Sequence, residues 1–303
     1  LRDPPADEIH QVLANVSGAK PVRWRPFLGG KANTNLLVEF DSGEPVVLRY
    51  HEGDSDPWPE KAIADRLRPF VRTPIVFGVD EERRASVLEY LPFASLEEAL
   101  EEGKPIDYFS IGNGLAKLRR VLFPHAGCLK PDLTCGLALG DPGRAYLDRA
   151  LRFLSKPVCQ RKLPENLRWT LKQELERELS ELPAATGPFA LVHSDFKANN
   201  LLIDEEGKLV ALIDFTYSHA GDPLLDVGMF LRDPRVDLPG QRASFLHGLR
   251  HGGVELGRVE LQRSRLFDLA NLLDFLSREG SENRDACCLK AISRGIGAEA
   301  RQA

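Results

Sequence analysis

Residues 193–200 read HSDFKANN, an acid, a lysine and two amides set between the apolar runs PFALV and LLID, and the segment LVALIDF that follows ends at Asp214 and Phe215. An unpaired carboxylate is costly beside buried apolar strands, so these polar groups need partners. If LLID and LVALIDF pair antiparallel across the turn EEGK at 205–208, Asp204 faces Leu209 and Asn200 faces Ile213. Asn200 and Asp214 then meet at the open end of a hairpin, where opposed Cβ atoms lie about 4.5–5.5 Å apart and diagonal ones a little further. An amide oxygen and a carboxylate at that separation suit one hard cation. Asp195 precedes Asn200 by five positions, in the loop feeding the first strand, and can sit beside such a cation without binding it. Each residue alone is also an ordinary turn former. Their convergence by hairpin geometry is what favours a site.

The hairpin interrupts a helical region. Upstream, VRWRPFL, NLLVEF and PVVLRY read as strands, the last two joined at DSGE, and PEKAIADRLRPF reads as a helix opened by Pro59. PIVFGV and ASVLEYL are two further strands. After LPFASLEEAL the apolar spacing becomes helical, over Ser110–Val121, Arg144–Leu154 and Glu165–Leu182, and helices resume around Leu225, Gln241, Arg258 and Glu282. The texture changes near Tyr90–Pro92, which predicts a strand-rich first part, 1–91, and a helix-rich second part, 92–303.

With 303 residues, 43% hydrophobic and 28% charged, the chain has the composition of a globular protein of one or two domains. A net charge of -5 argues against nucleic acid or an anionic membrane as partner. Five scattered cysteines show no C-x-x-C spacing, so neither a zinc site nor a disulfide framework is indicated, and a reduced cytoplasmic setting is expected. No apolar run reaches the ~18 residues of a membrane-spanning helix, and no charged-then-apolar leader is expected ahead of the first polar helix.

HSDFKANN resembles the kinase catalytic-loop pattern H-x-D-x-x-x-x-N, and IDF stands where the metal-binding D-F-G occurs. The downstream GDPLLDVG resembles the aminoglycoside phosphotransferase and choline kinase-like family of small-molecule kinases. The resemblance runs from about Phe27 to the C-terminal helices. It implies an α+β, bilobal protein kinase-like fold. The N-terminal nucleotide-binding lobe would be an antiparallel sheet plus helix, and the larger C-terminal lobe mainly helical, with an embedded catalytic hairpin and the acceptor pocket. A regulated activation segment has no room between Asp214 and Asp222, and no A-P-E segment is present, which sets protein kinases aside.

The resemblance also implies roles. Asp195 would be the catalytic base or orienting group, and Asn200 and Asp214 would hold Mg2+ on the phosphates of ATP. Lys197 either touches the transferred phosphate or is a solvated loop lysine. His193 and Asp222 would brace the loop, with Asp226 structural. Gly29, Gly30 and Lys31 lie in FLGGKANTN, which looks like a phosphate-covering loop. Arg49 occupies the third-strand position where kinases usually carry lysine, leaving Arg49 or Lys31 as the α/β-phosphate ligand, with Glu60 as the ion-pair partner of Arg49. LEYLP matches the inter-lobe hinge, so the backbone of Glu89 and Leu91 would meet the adenine edge.

The long interval from Val121 to His193 implies extra helices that form the acceptor site with the C-terminal helices. On RVELQRSRLFDLANLLDFLSR, Leu266, Leu269, Leu273 and Leu276 form the expected buried stripe. Asp268, Asn271 and Asp274 follow another face, as either a solvated row or an acidic wall for a cationic acceptor. The expected activity is ATP- and Mg2+-dependent transfer of the γ-phosphate to a hydroxyl of a small polar molecule. The alternative is a catalytically idle, nucleotide-binding pseudokinase with a regulatory role.

Overall fold

The computed structural model describes residues 3–18, 20–27, 33–52, 57–279 and 281–297. The chain opens with α1 (Ala6–Ser17), β1 (Pro21–Pro26), β2 (Thr34–Phe40), β3 (Val46–Tyr50) and α2 (Pro57–Leu67). It continues through β4 (Val76–Asp80), β5 (Ala85–Glu89), β6 (Ala94–Ser95), α3 (Leu96–Glu101) and α4 (Tyr108–Leu118). Three short strands follow, β7 (Leu122–Phe123), β8 (Gly127–Leu129) and β9 (Cys135–Ala138), then α5 (Pro142–Leu154), α6 (Pro157–Lys162) and α7 (Glu165–Glu181). β10 (Phe189–Val192), a 3-10 turn at Ala198–Asn200, β11 (Leu201–Ile203), β12 (Leu209–Leu212) and β13 (His219–Gly221) lead into α8 (Leu224–Leu231), α9 (Pro239–His251), α10 (Arg258–Leu276) and α11 (Glu282–Gly297). The region after Val121 therefore starts with strands where only helices were expected.

The chain packs as two compact units. The first comprises 1–107, 129–136 and 198–218, and the second 108–128, 137–197 and 219–303. The first unit runs past the boundary expected at residue 91 and takes in the hairpin around Asp204.

In the first unit β1-β2-β3-β5-β4 form an antiparallel sheet. Side chains alternate across a strand, and both faces of this sheet are covered. Leu48 and Tyr50 of β3 pack with Ile9, Val12 and Leu13 of α1, while Val47 packs with Ala64 of α2. That is why VVLRY is buried along its whole length. Arg49 shares the parity of Val47 and so faces α2. A second sheet of this unit, β12-β11-β6, holds the hairpin.

The second unit sets β7, β10, β13, β8 and the start of the β8–β9 hairpin in a sheet, with β10 between β7 and β13. One core of this unit joins α5, α7, α8 and α10, and Leu266, Leu269, Leu273 and Leu276 are buried in it as expected. Helices α8 and α10 approach closely because residue 228 is glycine: a Cβ there would strike the carbonyl oxygen of Ser264. The first buried turn of α8 is thereby held against the α10 segment carrying Asp268.

Candidate functional site

In the first unit, Asn35, Arg49 and Ser86 are aligned across β2, β3 and β5. The Arg49 guanidinium, almost wholly buried, donates from Nη1 to Glu60 Oε1 at 2.6 Å and to Asp214 Oδ1 at 3.3 Å, and from Nε to Asn35 Oδ1 at 3.0 Å. Glu60 Oε1 also accepts the Phe215 N–H at 3.3 Å, and Asp214 Oδ1 accepts the Thr216 hydroxyl at 2.7 Å. One cation therefore stands between two carboxylates. Burial pushes the Glu60 carboxyl up, the Arg49 charge pulls it back and Asp214 adds to the rise. Burial opposes the Arg49 charge, yet Glu60 and Asp214 together hold its pKa above the usual value.

Asp214 is held at a positive φ of 66°, and Ser194 at 64°. Non-glycine residues seldom occupy this region, and such backbone clusters at functional sites. The hairpin brings Asn200 to the expected place, since Leu201 pairs with Leu212 and the Ile213 N–H donates to the Asn200 carbonyl at 3.1 Å. The closed end differs from expectation. Asp204 pairs with Lys208 and not with Leu209, its N–H donating to the Lys208 carbonyl at 3.0 Å. The Asp204 carboxylate takes the N–H groups of Glu206 and Lys208, and Gly207 supplies the positive φ of the turn. A bulge between Leu202 and Ile203 absorbs the extra residue and restores the register before Asn200.

Of the expected hinge residues, Glu89 accepts the Ile75 N–H at 3.1 Å and pairs with Arg72 at 3.0 Å. Leu91 is buried with Leu202 and Ala211, flanked by Phe93, Val210 and Ile213. Gly29, Gly30 and Lys31 lie outside the described residues.

His51 stands two residues after Arg49, just past the end of β3, and its Nε2 lies 2.9 Å from the Ser86 hydroxyl. Burial, reinforced by the Arg49 charge, lowers its pKa from 6.5 to about 3. The unfolded chain takes up this proton near 6.5 and the folded chain resists until about 3, so stability present above 6.5 drains away as pH falls through that window. Each unit of pH within it costs about 1.4 kcal/mol. His51→Gln flattens this acid limb, which denaturant melts at neutral pH and at about pH 5 read directly.

In the second unit, β10 delivers His193 to the loop. The His193 backbone N–H donates to Asp226 Oδ2 at 2.7 Å and the Ser194 N–H to Asp226 Oδ1 at 2.8 Å. The imidazole of His193 is fully buried, edge-on to Phe196, which in turn meets Phe230. The carboxylate that braces this loop is thus Asp226. Asp222, expected in that role, accepts the Leu224 N–H at 2.9 Å and closes the turn that starts α8. Burial pushes Asp226 up to about 7, against the two N–H bonds, with Asp195 and Asp268 adding to the rise. Asp226→Ala strips both loop N–H groups of their acceptor. A stability loss of roughly 2–4 kcal/mol is expected, together with faster amide exchange at His193 and Ser194, measured by hydrogen–deuterium exchange.

Asp195 receives the Lys197 ammonium at 2.9 Å. The polar row on α10 is neither solvated nor an open acidic wall. Asp268 is 2% exposed and paired with Arg232 at 2.9 Å, Asn271 Nδ2 lies 3.5 Å from it, and Asp274 pairs with Arg278 at 2.7 Å and Arg149 at 3.5 Å. The helix is buried on more than one side, so a polar position on it needs an internal partner.

The model of the phosphotransferase enzyme family matches residues 23–261, most of the chain and every described element from β1 to the start of α10. The chain belongs to that family. Its members transfer phosphate to small molecules, and this chain is accordingly a small-molecule phosphotransferase of kinase-like fold. No curated protein sequence matches it. Among solved structures, it is similar to a choline/ethanolamine kinase family protein from Mesorhizobium loti, at 21% identity over 96% of this chain and 93% of the other, TM-score 0.68. It is also similar to a putative fructosamine-3-kinase from Thermobifida fusca, at 18% identity over 97% and 100% of the two chains, TM-score 0.65. An aminoglycoside phosphotransferase in ternary complex with AMP-PNP and hygromycin B is 16% identical over 97% and 99%, TM-score 0.71. At these identities the likeness is one of fold.

Two groups escaped the sequence reading. Asn35 is opposite Arg49 and was reachable by counting the β2–β3 hairpin back from DSGE. Thr216 stands where D-F-G has glycine, and its hydroxyl fixes Asp214.

Proposed function

We propose that this phosphotransferase moves the γ-phosphate of ATP, with Mg2+, to a hydroxyl of a small polar acceptor, residues 1–91 forming the nucleotide lobe and 92–303 the acceptor lobe. One observation carries the reading: Arg49 is buried and fixed through Nε and Nη1, while among the described residues its Nη2 has no partner. A guanidinium held on two sides with its third nitrogen open is preorganised for a phosphate oxygen. Arg49 is therefore assigned to the α/β-phosphates, and Glu60 keeps it in place.

Asn200 and Asp214 offer an amide and a carboxylate oxygen, the hard donors that magnesium takes, usually one or two per site with phosphate and water completing the shell. Asp214 shares the Arg49 cation with Glu60. Magnesium, when bound, would neutralise charge on the phosphates. Leu91 and Leu202 present the apolar surface expected beside an adenine ring, next to the backbone of Glu89.

Asp195 accepts the proton of the attacking hydroxyl, and Lys197 holds its carboxylate in direction. Asp226, through the N–H groups of His193 and Ser194, fixes the backbone on which Asp195 sits. A cationic acceptor recognised by Asp268 or Asp274 would have to displace an arginine from each, so neutral polar acceptors are equally suited. AMP-PNP binding by calorimetry, with and without magnesium, tests the nucleotide half: magnesium tightens binding to the native chain and has no effect on Asp214→Ala. Equal magnesium dependence in both would remove Asp214 from the metal site.

A further inference from the structure

Lysine, the usual residue at the Arg49 position, has no nitrogen within its stem. Arginine has Nε, and an unfixed guanidinium can turn about its side-chain torsions and present any of its edges. Here the Nε–H is taken up by Asn35 Oδ1 at 3.0 Å, from the residue opposite Arg49 on β2. The pairing is set by the strand register, so the amide is delivered by backbone geometry to the Nε–H, a donor within the stem that lysine lacks. With Nε held from β2 and Nη1 held by Glu60 and Asp214, the guanidinium plane is fixed and Nη2 is the edge left over.

We infer that Asn35 is a positioning residue for nucleotide binding: it orients the Arg49 guanidinium, making an arginine serve at this place. The inference rests on the proposed role of Arg49 as the phosphate ligand. Asn35 itself touches no phosphate. Its contribution passes entirely through Nε and disappears when residue 49 has none.

A double-mutant cycle on the full chain separates this from a general effect on the sheet. AMP-PNP affinity is measured by calorimetry for the native chain, Asn35→Ala, Arg49→Lys and the double variant. Asn35→Val is carried alongside as a strand-compatible replacement in case alanine unfolds the sheet. Asn35→Ala weakens AMP-PNP by about tenfold, the scale of one hydrogen bond to a charged group, and in the Arg49→Lys background the same substitution changes nothing. Native-like affinity of both Asn35 variants, or an equal loss in both backgrounds, would overturn the inference. Failure of the underlying reading looks different: Arg49→Gln would then bind AMP-PNP as the native chain does, whatever Asn35 contributes.

Discussion

Asp195→Ala lowers phosphate transfer by roughly a hundred- to ten-thousand-fold, the range contributed by a positioned general base, while AMP-PNP affinity and folding stay near native. The Asp195 carboxylate, 15% exposed, receives the Lys197 ammonium, which is 38% exposed. Losing a partly exposed pair costs at most about 1 kcal/mol. The expected variant melts close to the native chain and still takes up nucleotide, with only the chemical step lost. Rates with an identified acceptor, beside the melting temperature, make the comparison. A turnover loss matched by a loss of folded protein would instead make Asp195 a structural residue.

Arg49→Gln has the second large effect, on stability and binding at once. Removing the guanidinium leaves Glu60 and Asp214 facing each other, their side chains 4% and 21% exposed. Breaking a buried pair from one side costs roughly 3–5 kcal/mol because the remaining charge is uncompensated. The cost falls toward the lower end here, because Asp214 retains solvent and the hydroxyl of Thr216. Denaturant unfolding reads the stability term, and calorimetry with AMP-PNP reads the loss of the proposed phosphate ligand. Arg49→Lys keeps the charge and so recovers most of the stability, but it lacks the planar fork and recovers only part of the affinity. If the glutamine variant melted with the native chain, the buried charge cluster would not exist in solution.

The sequence made some of this legible and hid the rest for physical reasons. The meeting of Asn200 with Asp214 is a matter of counting along a hairpin, and it survives although the turn was counted one residue out, because the bulge at Leu202 and Ile203 compensates. The pairing of Arg49 with Glu60 came from family resemblance, and strand alternation explains it: Arg49 shares the α2 face with Val47. Asp226 was not recognisable as the loop brace because that role depends on α8 lying beside the end of β10, a tertiary placement with no local signature. The Asp222 it displaced sits beside Gly221 and Pro223, where turn chemistry is visible in the sequence. The burial of Asp268 is hidden from the sequence for a similar reason. Helical periodicity identifies a single buried stripe, whereas α10 packs against α5, α8 and α11 and buries polar positions as well.

The proposed activity is phosphate transfer from ATP to a small molecule with Asp195 as the base. Incubating the native chain with ATP, magnesium and a mixture of amino-sugars, amino-alcohols, sugars and antibiotics, followed by mass spectrometry, measures that activity directly. The expected result is a new singly phosphorylated acceptor with the native chain and none above background with Asp195→Ala. A native chain that binds AMP-PNP yet phosphorylates nothing in the mixture, or an Asp195→Ala variant that yields as much product as the native chain, would contradict it.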